Sequence, residues 1–326
     1  MQLVPGGSRL RIALVIALLA ALTGGCFGSS STSGVKGGSL AKSVSLQGAT
    51  FTVGSKEFTE QLVTCHIISL ALRSVGATVR EKCGLQGTEI TRAALMKGST
   101  DMYWEYTGTA WKKILGHSEP IKDPIRQYNA VAQEDLAKNH VKWLTPSAAN
   151  DAYGIGAKPS IVRGLGIETI SDYARLTRTD PSAASMCVAS EFALRSDGLP
   201  GLGKEYGFTV PKGRLASFAE DDIYDAINKG DPCNFGEIST TDGRIREFGM
   251  IPLRDDKGFF PPYNPALTVR ETVYNDHKDL AKVAEPLAAA LTNDELQRLN
   301  GEVDVHGKDP NQVAEAWLKA KSFIGT

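Results

Sequence analysis

Thr52-Val53-Gly54-Ser55-Lys56-Glu57-Phe58-Thr59-Glu60-Gln61 is the stretch from which the fold can be read. Thr52-Val53-Gly54 ends a short strand. From Phe58 to Val75 apolar residues recur at helical spacing (Phe58, Leu62, Ile67, Leu70, Ala71), and Gly76 follows as a C′ stop. Thr78 to Lys82 then reads as a second strand. The alternation continues outward: a helix Glu89 to Lys97 ended by Gly98, a strand Asp101 to Tyr106, a helix from Asp123-Pro124 to Lys138, and a strand Val141 to Leu144. Strands alternating with helices predict an α/β protein.

A second block has the same grammar. Met186 to Ala189 and Cys233 to Ile238 read as strands, and Ser217-Phe218-Ala219-Glu220 has capping-box spacing before a helix Asp221 to Lys229. The glycine-rich run 198–204 reads as a turn before a helix around Tyr206. Phe259-Phe260-Pro261-Pro262-Tyr263-Asn264-Pro265 breaks the pattern and is expected to return the chain to the first block. Thr292 to Glu295 makes another capping box, and Asp309-Pro310 opens a last helix, Asn311 to Phe323.

The chain has 326 residues, which favours two packed domains. Its 42 % hydrophobic and 22 % charged residues are those of a soluble globular protein, against a disordered chain or a polytopic membrane protein. Formal net charge is −1, and removing residues 1–25 takes away Arg9 and Arg11 but no acid. Nothing in that balance suits nucleic acid, which selects a basic excess.

Residues 1–26 read as an export signal. Arg9 and Arg11 form the positive region, and Ile12 to Leu22 an apolar run short for a bilayer span. Leu22-Thr23-Gly24-Gly25-Cys26 resembles a bacterial lipobox, with Cys26 as the lipidated residue; a plainly cleaved signal with a stray cysteine is the alternative. The Gly/Ser/Thr-rich stretch after it favours the anchor, with 27–49 as a flexible tether. Cys65, Cys83, Cys187 and Cys233 remain, an even number in an exported chain, so disulfides are expected. Of the three possible pairings, Cys65 with Cys83 and Cys187 with Cys233 would each staple one domain. A metal site lacks support: there is no CxxC, and the five histidines are scattered singly. No cofactor is expected.

The chain carries no GxSxG, no HExxH and no P-loop, so an enzyme is not expected. Asp221-Asp222 and Asp255-Asp256 stand in capping or turn contexts.

Gly54-Ser55-Lys56-Glu57-Phe58-Thr59-Glu60-Gln61 resembles the GSKxFTEQ signature of solute-binding proteins that serve ABC importers of glycine betaine, carnitine and choline. Gly87-Thr88-Glu89-Ile90, Asp101 to Thr109, Asp197 to Leu202, Thr241 to Ile245 and Phe259 to Asn264 continue the likeness in order, and Leu291 to Asn300 extends it toward the C-terminus. The resemblance implies a two-lobed, type II periplasmic-binding-protein fold. Residues 50–148 with 262–326 would form one lobe and 149–261 the other, with two crossovers and a ligand cleft between them. It also implies an exported, lipid-anchored monomer at the outer face of the bacterial membrane, working with permease and ATPase subunits.

A trimethylammonium group has no N–H to donate, so ring faces must hold it. By motif position the resemblance nominates Tyr106, Tyr153 and Tyr263 for a tyrosine cage, with Tyr128 a looser match; a packed core ring is the alternative for each. Gln61 and Thr109 take the positions that hold a betaine carboxylate, with local capping as the alternative, and backbone N–H groups near Thr59 could add donors. Choline-preferring relatives tend to carry an acid where Thr109 stands, so Thr109 points to a carboxylate-bearing ligand. Ser239 stands where many relatives place a further cage tyrosine, so Phe235, Trp104 or another aromatic would have to substitute, or the ligand would be a different small polar or aromatic solute. Trp104 itself stands where many relatives have proline. Glu237 could add a carboxylate for a cation, but it reads first as a solvated strand-end acid.

Overall fold

The computed structural model describes residues 34–326. The expected signal sequence, Cys26 and the first part of the expected tether lie outside the described residues. The chain runs through β1 (Thr50–Lys56), β2 (Thr78–Leu85), β3 (Met102–Tyr106) and β4 (Val141–Pro146). It continues with β5 (Tyr153–Ala157), β6 (Met186–Ala189), β7 (Leu215–Phe218), β8 (Phe235–Ser239) and β9 (Ile251–Pro252), and returns to β10 (Pro265–Arg270).

These strands make two sheets, ordered β2-β1-β3-β10-β4 and β7-β6-β8-β5-β9. β1 runs parallel to β2 and β3, while β10 is antiparallel to β3 and β4. The second sheet repeats this plan, with β6 parallel to β7 and β8 and β5 antiparallel to β8 and β9. Helices cover both sheets, giving an α/β fold of two lobes. The chain passes between the sheets twice, through 147–152 and 253–264.

The helix Thr59–Ser74 is buried on almost every face, polar residues such as Gln61, Thr64 and Ser69 included, because it is enclosed: it packs on the first sheet and under the helices Asn293–Asp304 and Pro310–Ala320. Asp309 caps the last of these by accepting from Asn311 N and Gln312 N, and Thr292 caps the helix before it. The helix Pro124–Asn139 starts, as expected, with Asp123 accepting from Arg126 N at 2.7 Å. Disulfides join Cys65 to Cys83 and Cys187 to Cys233, one in each lobe.

Three local expectations are corrected. Residues 35–49 are not tether: Leu40, Val44 and Leu46 are buried in the first-lobe core, Gly37 bridges Ile324, and Gly325 N donates to Lys36 O at 2.8 Å. These apolar residues have a face of the helical layer to fill, which composition alone does not reveal. Ser217 does not cap the following helix, because it lies within β7; the helix Glu220–Lys229 begins after Ala219, without a side-chain cap. The glycine-rich run is itself helical, Leu199–Tyr206, with Pro200 in its first turn. A side chain at Gly201 would collide with Ser196 O and the Phe259 ring, so close packing explains that glycine.

Candidate functional site

Between the lobes lies a cavity of about 320 Å³, in the range of small-molecule sites. A larger recess of about 780 Å³ opens on the second lobe beside Leu199, Phe208 and Leu215, but Leu199 and Pro200 are the only residues it takes from the signature motifs, whereas several of those motifs meet at the inter-lobe cavity. The site is therefore built from the inter-lobe cavity.

Four rings line it. Phe58 comes from the turn after β1, Tyr106 ends β3, Tyr153 opens β5, and Tyr263 stands on the second crossing just before β10. Tyr153 and Tyr263 meet edge-on with centroids 5.7 Å apart, and Phe58 stacks near Tyr106 at 6.1 Å. Tyr263 can lie this close because Gly108 has no side chain: a Cβ there would stand 2.6 Å from the Tyr263 ring. Burial holds the phenols of Tyr106, Tyr153 and Tyr263 far above their ordinary pKa, so all three present neutral rings.

Two hydroxyls are tied down from behind. Tyr106 donates to Glu60 Oε1 at 2.9 Å, and Tyr263 donates to Asp197 Oδ2 at 2.6 Å. Asp197 in turn takes a forked pair from Arg195, Nε to Oδ1 at 2.9 Å and Nη2 to Oδ2 at 2.6 Å. Burial works against the Asp197 charge, yet Arg195 prevails and holds its pKa below the ordinary carboxylate value. Asp197 likewise overrides the burial of Arg195 and keeps it cationic.

Cations and acids share the cavity. Lys56 is buried against Glu105 at 2.7 Å and has its ammonium 5.2 Å from the Tyr106 centroid; Arg195 lies 5.3 Å from that of Tyr153. Lys56 has three N–H donors and Arg195 five, so the bonds to Glu105, Asp197 and Glu191 leave capacity for a ligand carboxylate. Thr88 and Thr109 add hydroxyls. On the acid side, Asp151, Glu191, Glu220 and Asp221 line the cavity. Glu220 lines the cavity with its own side chain exposed; the protein atoms crowded around it, then Asp151, Asp221 and Asp242, push it up to about 8. Such a box suits a zwitterion: ring faces and carboxylates for a permanent cation, Lys56 and Arg195 for a carboxylate.

Of the expected residues, the fold brings Tyr106, Thr109, Tyr153, Tyr263 and Ser239 to this one cavity. Gln61 is not brought there. Its Nε2 donates to Trp104 O at 2.9 Å and its Oε1 accepts from Lys56 N at 3.1 Å, so the amide braces β1 against β3. Tyr128 is a packed ring whose hydroxyl donates to Trp143 O at 3.3 Å. The Thr59 hydroxyl, outside the lining of this cavity, donates to Asp304 Oδ1 at 2.5 Å. Phe235 and Trp104 are core residues of the two lobes and supply no substitute ring. Glu237 is buried rather than solvated, accepts from Ala189 N at 2.7 Å, and is raised well above its ordinary pKa by burial and then by Glu220.

Sequence reasoning missed Phe58, Lys56 and Arg195. Phe58 and Lys56 lie inside the quoted signature, and Arg195 two residues before Asp197, so spacing marked the neighbourhood but not which side chains face the cleft. Among the described residues, one group of three metal-donor types gathers: His66, Glu81 and Cys83. Cys83 is spent in a disulfide and Glu81 pairs with Arg73 at 2.7 Å, so this group offers no thiolate.

Residues 49–320 match the family described as the substrate-binding domain of ABC-type glycine betaine transport systems. The chain belongs to this family. A glycine-betaine-binding protein of Pseudomonas aeruginosa is 32% identical over 283 residues, covering 85% of this chain and 90% of the relative. The ergothioneine transport permease/ergothioneine binding protein EgtU of Helicobacter pylori is 30% identical over 276 residues, covering 82% of this chain and 47% of that protein. The solved structure of apo YehZ from Escherichia coli superposes with a TM-score of 0.67 at 30% identity, covering 84% of this chain and 99% of that one. The two-lobed fold expected from the signature is thus the family's own.

Proposed function

We propose that this protein captures a quaternary ammonium osmoprotectant of the glycine betaine, proline betaine or carnitine type outside the cytoplasm and delivers it to an ABC importer. The observation that carries this reading is the meeting of Tyr106, Tyr153 and Tyr263 with Lys56 and Arg195 around one inter-lobe cavity. Ring faces attract a cation that offers no hydrogen bond, by about 2 kcal/mol or more per desolvated contact. The two cationic side chains and Thr109 answer the carboxylate at the other end. Closure of the lobes on this ligand would create the surface that permease subunits, driven by their ATPase, recognise. Cys26 would carry the lipid that holds a monomeric receptor at the outer face of the membrane; among the described residues no helix is long and apolar enough to cross it.

Titration calorimetry tests the ligand. Protein unfolded and refolded to strip carried-over solute is titrated with glycine betaine, proline betaine, carnitine and choline. Ergothioneine, named for the Helicobacter relative, joins the panel. Heat with the carboxylate-bearing ammonium compounds and little with choline is expected. No heat with any of them would remove the reading. Cys26→Ser, expressed in the host, is expected to move the protein from the membrane fraction to the soluble one.

A further inference from the structure

One buried chain of polar groups leaves the cavity at one wall and returns at another, and the site described so far uses only its ends. It starts at Tyr106, whose hydroxyl bonds Glu60 Oε1 at 2.9 Å. Asn300 Nδ2 donates to Glu60 Oε2 at 3.1 Å and also to Thr241 O at 3.0 Å. Thr241 Oγ1 then donates to Asp151 Oδ1 at 2.7 Å, and Asp151 lines the cavity again. Tyr106, Glu60 and Asn300 belong to the first lobe; Thr241 follows β8 of the second. Glu60, Asn300 and Thr241 are all buried.

We propose that Glu60 is a positioning residue that couples occupation of the Tyr106 ring to the docking of the second lobe, through Asn300 and Thr241. This rests on the osmoprotectant reading above. Three features argue for coupling rather than filling. Both carboxyl oxygens are used, one toward the ligand ring and one toward the other lobe. The Asn300 amide serves Glu60 and Thr241 at the expense of its own Oδ1, which is buried with no partner among the described residues. The same turn is seated closely on this helix: Gln297 Nε2 donates to Thr240 O at 2.9 Å, and Gly243 packs so near Gly301 that any side chain there would collide with it.

Charge gives the relay a sign. Asp151, Asp242, Glu220 and Asp221 face this region from the second lobe and its crossing, and Asp304 from the first, against Arg244 and Lys56. Burial, and then Asp151, raise the Glu60 carboxyl to about 8. A permanent cation on Tyr106 favours the ionised carboxylate, so ligand uptake expels a proton and affinity rises with pH. Glu220 titrates in the same sense, which makes Glu220→Gln the control.

The test is calorimetry with glycine betaine on the wild type, Tyr106→Phe, Glu60→Gln and Asn300→Ala, each checked for folding by its melting transition. Asn300→Ala, which touches no cavity wall, is expected to weaken binding roughly 5-fold or more. Combined with Tyr106→Phe it should cost less than the two losses together. The rise in affinity with pH should shrink in Glu60→Gln and survive in part in Glu220→Gln. Folded Asn300→Ala and Glu60→Gln proteins with wild-type affinity would overturn the relay. Should Asn300→Ala fail to fold, Tyr106→Phe decides, since a wild-type pH profile in that ring-preserving variant overturns it equally. A wild type that binds no member of the panel removes the functional reading and the relay with it, whereas normal wild-type binding with indifferent variants removes the relay alone.

Discussion

Tyr153→Leu separates ring attraction from the hydrogen bonding around it. Tyr106 and Tyr263 are tethered through their hydroxyls to Glu60 and Asp197, so replacing either also frees a buried carboxyl. Tyr153 is held instead by ring contacts, 5.2 Å from Phe192 and 5.7 Å from Tyr263, with Arg195 over it. Leucine keeps most of the bulk and removes the quadrupole. A half-exposed ring contact with a cation is worth about 1 kcal/mol, rising to about 2 when desolvated by closure. Since about 1.4 kcal/mol is tenfold, the dissociation constant for glycine betaine should rise roughly 5- to 30-fold. The assay is titration calorimetry with glycine betaine beside 3,3-dimethylbutyrate, which has the same shape and carboxylate but carbon in place of the ammonium nitrogen. The wild type should prefer the cation, and Tyr153→Leu should narrow that preference. Equal losses for both ligands, or none for either, would refute the ring-face argument at this position.

Other perturbations have equally definite outcomes. Gly108→Ala forces the Tyr263 ring aside and should lower stability by about 1–3 kcal/mol, read by urea denaturation, while weakening the ligand. Glu60 has its folded pKa raised to about 8 from 4.5, so the native state holds the extra proton; stability should fall as pH rises from about 5 to 8 and then level, and Glu60→Gln should flatten that slope. Removing the Cys187–Cys233 bridge frees a longer loop, separation 46 against 18 for Cys65–Cys83, so paired serine variants should lose about 4 and about 3 kcal/mol respectively by the loop-entropy argument. A reversed order in chemical denaturation would show that native packing, not loop length, governs them.

Much of the architecture was legible because it rests on local rules. Periodicity placed the helix near 59–74, Asp123 and Asp309 marked helix starts, and the proline-rich loop marked the return to the first sheet. The site was legible where the backbone dictates direction: Tyr106 at the end of β3 and Tyr153 at the start of β5 point into the cleft by their places on the strands. It was illegible where a side chain chooses among partners distant in sequence. Gln61 lies in the first turn of its helix and could face the cleft or the sheet; the open backbone groups of Lys56 and Trp104 decide it. Arg195 gains its role from Asp197 and from Tyr263, whose bond spans 66 positions of sequence, which no local spacing encodes.

The pairing of residues 36–39 with the C-terminal turn has a mechanical corollary. Gly37, Ser39 and Leu40 are stitched to Ser322, Phe323 and Ile324 on the outside of the first lobe. A pull arriving along the chain ahead of residue 36 would reach that half first. The other half is reached only through two peptide crossings and the seam at Gln297, Asn300 and Gly301, so a receptor moored this way would keep one jaw still against its transporter while the remaining jaw, once that seam parts, opens to reload.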